Sequence, residues 1–251
     1  MSGNVHVNIK NGISEIIFSH PKSNSLPGEL LRTIAKEIDL AGNNPEVKVI
    51  MLCSEGELAF CAGASFDELI SIKTFDQGKV FFSGFAAVIN AIRKVPKFVI
   101  ARVQGKAVGG GVGLASAADL TFAHESASIK LSELAIGIGP FVVGPAVERK
   151  IGKSAFTELT INTTEWKSAL WAKQNGLYAE IFSTTHEMDT TISILVQKLL
   201  QSNPEAMALL KKIFWEGTEH WDTLLDERAA MSGKLVLSDF TKKAIAKFKS
   251  K

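Results

Sequence analysis

Gln104-Gly105-Lys106-Ala107-Val108-Gly109-Gly110-Gly111-Val112-Gly113 follows a short apolar run, Phe98 to Val103, and leads into residues that favour helix, Leu114 to Ala118. A glycine-rich turn between a buried strand and a helix leaves backbone N–H groups unpaired. These groups and the positive end of the helix dipole face whatever lies in front. A second small-residue turn, Phe60-Cys61-Ala62-Gly63-Ala64-Ser65-Phe66-Asp67, also precedes a helical stretch. Two such turns can donate to one oxygen. Taken singly, each is explained as well by close backbone packing. The longer turn lacks the Lys-Ser/Thr ending of a phosphate-binding loop and the spacing of the dinucleotide fingerprint, which ranks nucleotide binding low.

Upstream, Val5, Val7 and Ile9 alternate with polar residues, Asn11-Gly12 supplies a turn, and Ile13 to Phe18 resumes an apolar strand, predicting a β-hairpin. After a polar loop at Ser19 to Ser25, the residues Leu30, Leu31, Ile34, Ile38 and Leu40 recur at helical spacing, and Val47 to Leu52 suits a buried parallel strand. Ser54 to Ala64 reads as a loop, Phe75 to Arg93 as a helix and Phe98 to Val103 as the next strand. Short strands are expected at Leu120 to Ala123 and Ser128 to Lys130. From about Gly144 the pattern is helical almost throughout, with Ile192 to Leu200, Ala206 to Phe214 and Val236 to Phe248 as amphipathic segments. The expected architecture is α/β, a parallel-sheet layer fold followed by a helical portion, without internal repeats.

With 251 residues, 46% hydrophobic and 22% charged, the chain has the balance of a globular protein with one sizeable core. Its 28 basic against 26 acidic residues give a net charge of +2, too weak a field to predict binding to nucleic acid or membrane. Cys53 and Cys61 are too few for a disulfide framework, and Met1-Ser2-Gly3-Asn4 does not open a secretion signal, so a cytoplasmic location is expected. His6, His20, His124, His186 and His220 show no ligand spacing, so no metal site is expected. The absence of a Gly-x-Ser-x-Gly elbow argues against a serine hydrolase.

Four segments taken in order are specific together: Asn24-Ser25-Leu26; Phe60 to Ala64; Gln104 to Gly111; and Ser132-Glu133-Leu134-Ala135-Ile136-Gly137-Ile138-Gly139-Pro140. Their sequence resembles the enoyl-CoA hydratase/isomerase (crotonase) family over nearly the whole chain. The resemblance implies a spiral of β-β-α units over residues 1–190 and a C-terminal helical trimerisation region over residues 191–251. It also implies an acyl-CoA thioester substrate and a homotrimer or dimer of trimers. Coenzyme A is then part of the substrate, and no separate cofactor is expected.

Carried over by position, the oxyanion hole is the backbone N–H of Ala64 and of Gly110, and Glu133 matches the family's second catalytic glutamate. Apolar neighbours would raise the Glu133 pKa toward the range of a general acid and base if the side chain is buried. Without the resemblance, a solvated or ion-paired glutamate is the simpler reading. Coenzyme A and acyl contacts are expected along Ala62, Ala64, Ser65, Phe66 and Asp67, with Lys22, Ser25 and Leu26 near the nucleotide end. Ser65 stands where the family usually has Asp. Phe141 and Val142 suggest an apolar acyl pocket, with ordinary core packing as the alternative.

The family's hydratases carry another glutamate two residues after the glycine run, where this chain has Gly113. That departure favours isomerisation or a related enolate reaction over efficient hydration. An enoyl-CoA or methylglutaconyl-CoA hydratase is the alternative, and a non-catalytic CoA-binding protein is the alternative of another class. Asp67, Glu68 and Glu125 are conceivable replacements for the missing carboxylate, each more simply a surface or helix-turn charge. Trp215 and Trp221 read as packing residues. Lysines 242, 243, 247, 249 and 251 fit either CoA phosphates or a solvated helix face.

Overall fold

The computed structural model describes residues 3–249. It begins with the hairpin β1 (Asn4–Lys10) and β2 (Ile13–Ser19), paired antiparallel from Asn4↔Ser19 to Lys10↔Ile13. Asn11 and Gly12 between them both have positive φ, 52° and 82°, the backbone a two-residue hairpin turn requires. Helix α1 (Gly28–Asn43) then crosses to β3 (Val49–Ser54), which lies parallel to β2.

A short strand β4 (Ala59–Cys61) and helix α2 (Phe66–Ser71) precede the long helix α3 (Phe75–Lys94). Thr74 starts α3 with a reciprocal capping box to Gln77. Beyond it lie β5 (Phe98–Val103), β6 (Lys106–Val108), α4 (Gly110–Ala117), β7 (Leu120–His124) and β8 (Ile129–Lys130). A 3-10 turn at Glu133–Ile136 leads to α5 (Gly144–Ile161), α6 (Ala169–Gln174) and β9 (Glu180–Phe182). The chain closes with α7 (Thr185–Leu200), α8 (Pro204–Phe214), α9 (Trp221–Leu235) and α10 (Asp239–Lys249).

Two sheets result. The larger has the order β1-β2-β3-β5-β7-β9, parallel from β2 onward, and the smaller is β4-β6-β8, also parallel. The central strands β3 and β5 are covered on both faces, which is why they read as nearly continuous apolar runs. Ile50 and Leu52 of β3 belong to the main core with α1 and α3. Val49 and Met51 point to a second cluster with Met188, Ile192 and Val196 of α7 and Met207 of α8.

The C-terminal helices pack on the chain's own core. Helix α9 runs along α3, and a Cβ added at Gly78 would stand 2.8 Å from Gly233 O, so two glycines let the helices touch backbone to backbone. Trp221, Leu225 and Ala229 of α9 and Ile245 of α10 join the main cluster. Residues 190 and 191, the expected division of the chain, both lie within α7.

Four expectations need correction. The expected loop Ser54 to Ala64 contains β4, and the glycine turn contains β6; three-residue strands are too short to show a period. The helical C-terminal part contains β9, which pairs with β7 as the sixth strand of the larger sheet. The last segment is broken: Val236 caps α9, and α10 starts only at Asp239. Among the described residues no helix is long and apolar enough to cross a membrane.

Candidate active site

The parallel strands of the smaller sheet deliver both small-residue turns to one end. β4 runs into Ala62-Gly63-Ala64 and β6 into Gly109-Gly110, and the two strands are neighbours. Leu26 pins the first turn: its N–H donates to Gly63 O at 2.8 Å, and its carbonyl accepts from Ser65 N–H at 3.1 Å. Ala64 lies between these bonds, and its own N–H is absent from the backbone hydrogen bonds among the described residues. Gly110 is the first residue of α4, so its N–H has no acceptor within the helix.

The two turns are in close contact. A Cβ at Gly63, whose φ is +87°, would meet Val108 O at 2.9 Å and Gly110 N at 3.6 Å. Gly109 has φ 52° and ψ −113°, and its N–H donates to Lys130 O at 2.8 Å. This backbone, open in practice only to glycine, sets the N-terminus of α4 at Gly110 against the Gly63–Ala64 turn.

Glu133 is the first residue of the 3-10 turn, placed by β8 across from this space. The turn is anchored twice: Ala135 N–H donates to Thr163 Oγ1 at 3.2 Å, and Thr163 Oγ1 donates to Leu131 O at 3.1 Å. A Cβ at Gly109 would lie 2.7 Å from Glu133 Oε1, so the carboxylate sits against the glycine that precedes Gly110. Its Oε2 is buried and has no hydrogen-bond partner. Burial pushes the Glu133 pKa up to about 7, opposed by the nearby backbone N–H groups of Glu133 and Ser132.

One pocket collects these groups. Ala62, Ala64, Phe66, Gly110, Glu133 and Phe141, all expected at the site, line it together. The remaining walls are largely apolar, with Phe82 and Phe85 from α3 and Val143 at the start of α5. Ser232 of α9 also lines the pocket, and sequence reading did not single it out. No local pattern marks it, because its place depends on the glycine contact between α3 and α9.

Other expected residues lie outside this pocket. Lys22 and Asp67 form an exposed ion pair with each other. Ser25 is buried, with Oγ 2.9 Å from His20 Nδ1, and Ser65 caps α2 by accepting from Glu68 N–H at 3.4 Å. Leu26 is fully buried and serves the turn through its backbone. None of the conceivable replacement carboxylates enters the pocket: Asp67 faces Lys22, Glu68 Oε2 accepts from Gly28 N–H at 2.7 Å, and Glu125 is exposed. Gly113 has no room for a side chain, since a Cβ there would meet Val143 Cγ1 at 2.5 Å.

Cys53 and Cys61 are free thiols, each pushed up to about 12 by burial and so poor nucleophiles. Among the described residues, no three His, Cys, Asp or Glu side chains stand together as a metal would require. Lys251 lies outside the described residues.

Residues 8–251 match the model of the enoyl-CoA hydratase/isomerase family. The chain belongs to that family. It is 32% identical over 200 residues to the mitochondrial methylglutaconyl-CoA hydratase of Homo sapiens, covering 78% of this chain and 58% of that protein. The carnitinyl-CoA dehydratase of Salmonella enteritidis is 31% identical over 214 residues, covering 85% and 81% of the two chains. The chain thus spans about three fifths of the length of the human relative. The crystal structure of an enoyl-CoA hydratase from Bacillus halodurans superposes with a TM-score of 0.89 over 97% of this chain and 99% of that one, at 22% identity. The fold is therefore the crotonase fold, with its β-β-α units.

Proposed function

We propose that this enoyl-CoA hydratase/isomerase family member acts on an acyl-CoA thioester and moves a proton between carbons through Glu133, with isomerisation favoured over hydration. The thioester oxygen would accept from Ala64 N–H and Gly110 N–H. These fixed donors strengthen their hold as negative charge develops on that oxygen in the transition state. The Glu133 carboxylate takes a proton from C2 of a 3-enoyl thioester, the electrons move into a dienolate, and Glu133 returns a proton at C4. The product is the 2-enoyl thioester, and the carboxylate is regenerated.

The observation that carries this reading is the pairing of one carboxylate, whose buried Oε2 has no hydrogen-bond partner, with two unused N–H donors in a single pocket. A carboxyl group with a pKa of about 7 is suited to both taking and giving a proton near neutrality. The preference for isomerisation rests on Gly113 and Val143, which leave an apolar contact where a second carboxylate would hold water. The names of the relatives support a second reading, hydration or dehydration of an acyl-CoA.

The test is conversion of 3-hexenoyl-CoA to 2-hexenoyl-CoA, followed by the absorbance of the conjugated product. Turnover by the wild type that collapses in Glu133→Gln supports the reading. Turnover unchanged by Glu133→Gln removes the proton shuttle, and binding of acyl-CoA without any turnover favours the non-catalytic alternative. A homotrimer or dimer of trimers is part of the same proposal. Light scattering would give three or six times the 27.1 kDa chain mass, and a monomer would contradict it.

A further inference from the structure

Among the described residues, no other side chain bonds the Glu133 carboxylate. Its Oε2 has no partner, and the donors near it are the backbone N–H groups of Ser132 and Glu133 itself. The direction of the carboxylate is therefore set by the 3-10 turn that carries it. The exit of that turn is fixed within the segment. Gly137, at φ 81°, donates its N–H to Leu134 O at 3.0 Å, and Ile138 N–H donates to Glu133 O at 3.0 Å. At the entry, Ala135 N–H reaches Ser132 O at 3.1 Å and shares its proton with a residue distant in sequence, Thr163.

Thr163 is brought there from the far end of α5. Asn162 caps the helix, Glu165 N–H turns the chain back onto Asn162 O at 2.9 Å, and Lys167 exchanges two backbone bonds of 2.9 Å with Ile129 of β8. The loop is thereby laid beside the strand that leads to Glu133. Half-buried in this loop, Thr163 sets its hydroxyl between the two sides of the glutamate. It donates to Leu131 O at 3.1 Å, two residues before Glu133, and accepts from Ala135 N–H at 3.2 Å, two residues after. The single proton of the hydroxyl and one of its lone pairs are both used.

We propose that Thr163 is a positioning residue for Glu133, its hydroxyl clamping the chain on either side of the glutamate so that the carboxylate stays against Gly109. The inference rests on the proposed proton transfer through Glu133. Thr163 does not line the pocket, so it acts through the backbone of the turn and touches no substrate. Valine has nearly the same shape and neither bond, which frees Leu131 O and lets the turn shift. A displacement of about 1 Å at a reacting group costs about a hundredfold in rate.

Kinetics with 3-hexenoyl-CoA test the proposal in Thr163→Val, Thr163→Ser and Glu133→Gln, alone and combined. Thr163→Val should lower kcat by about tenfold to a hundredfold with KM little changed, because the pocket walls stay in place. Thr163→Ser, which keeps the hydroxyl, should restore most of kcat. Added to Glu133→Gln, Thr163→Val should lower turnover no further, since no carboxylate remains to be aimed. Thr163→Ala, which also lacks the hydroxyl, is read in the same way where the valine variant does not fold. An equal loss in both backgrounds overturns the proposal, as does a loss no greater than the unfolded fraction seen by circular dichroism. A second readout needs no turnover: the carboxyl-carbon NMR signal of Glu133, titrated with pH. In Thr163→Val the titration should move to lower pH, because a loosened carboxylate gains water. An unmoved titration overturns the clamp. Turnover unchanged by Glu133→Gln defeats the proton shuttle instead, and the NMR titration then still decides whether Thr163 holds the carboxylate.

Discussion

Val143 fills the space in front of Gly113: a Cβ added at the glycine would lie 2.5 Å from Val143 Cγ1 and 2.6 Å from Val143 Cβ. The two residues form a matched pair, a missing side chain on α4 and a β-branched one at the start of α5. The absence of a second carboxylate is therefore built into the packing.

Gly113→Glu alone should fail. Forcing a side chain into this contact costs about 1–3 kcal/mol by overpacking, and burying a charge adds to it. The melting temperature should fall without any gain in hydration. Gly113→Glu combined with Val143→Gly opens the space, and the ratio of hydrated to isomerised product should rise relative to the wild type. A ratio unchanged in a folded double variant would show that a carboxylate at this position is not what limits hydration.

Glu133→Gln should keep the fold and lower turnover by about 10²–10⁴-fold, the usual contribution of a positioned acid and base. Circular dichroism and steady-state kinetics together separate loss of chemistry from loss of structure. In the wild type, kcat/KM should rise with pH through about 7, as Glu133 becomes the carboxylate that takes the proton.

The same raised pKa sets a stability trend. Below about pH 4.5 Glu133 is protonated in both folded and unfolded chains. Between that pH and about 7 the folded state holds the proton while the unfolded state has lost it, so stability falls as pH rises. Above 7 the carboxylate's penalty is constant, at most about 3 kcal/mol. The melting temperature of Glu133→Gln relative to wild type should accordingly climb between pH 5 and 8. A difference that does not change with pH would contradict the burial of this carboxylate.

Gly109→Ala should damage both fold and site. The backbone at φ 52° and ψ −113° strains any side-chain-bearing residue, at a cost of about 1–3 kcal/mol, and the new Cβ would press on Glu133 Oε1. Lower stability and a loss of turnover greater than the fraction unfolded explains are expected. A fully active, equally stable variant would contradict the geometry of the turn.

Gly233→Leu should push α9 away from α3, because its Cβ would meet Lys79 N at 2.6 Å. Ser232 would then leave the pocket wall. A reduced melting temperature and weaker binding of acyl-CoA are the expected results, read by calorimetry.

Much of this fold is legible because its strands and helices carry long enough patterns. Asn11-Gly12 between two alternating runs can hardly be other than a hairpin, and Leu30 to Leu40 keeps one apolar stripe. β4, β6 and β9 escape notice for a common reason. Each has three residues, and each is made a strand by the neighbour that pairs with it.

The site divides along similar lines. Ala64, Gly110 and Glu133, which line one pocket and carry the proposed chemistry, are singled out by the order of their motifs, since a lone glutamate in an apolar stretch has no distinguishing local signal. Ser232 and Val143 are set by contacts between distant segments, Gly233 with Gly78 and Val143 with Gly113. Their neighbours in sequence give no hint of those contacts. Lys22 and Asp67, expected along coenzyme A, face each other outside the pocket.

The most direct measurement follows trans-2-hexenoyl-CoA by NMR in D₂O with the purified protein. Deuterium entering a 3-enoyl product, with little 3-hydroxyhexanoyl-CoA, is the predicted result and makes Glu133 sufficient as the proton shuttle. Rapid formation of 3-hydroxyhexanoyl-CoA would contradict it and show that Gly113 and Val143 do not disable hydration.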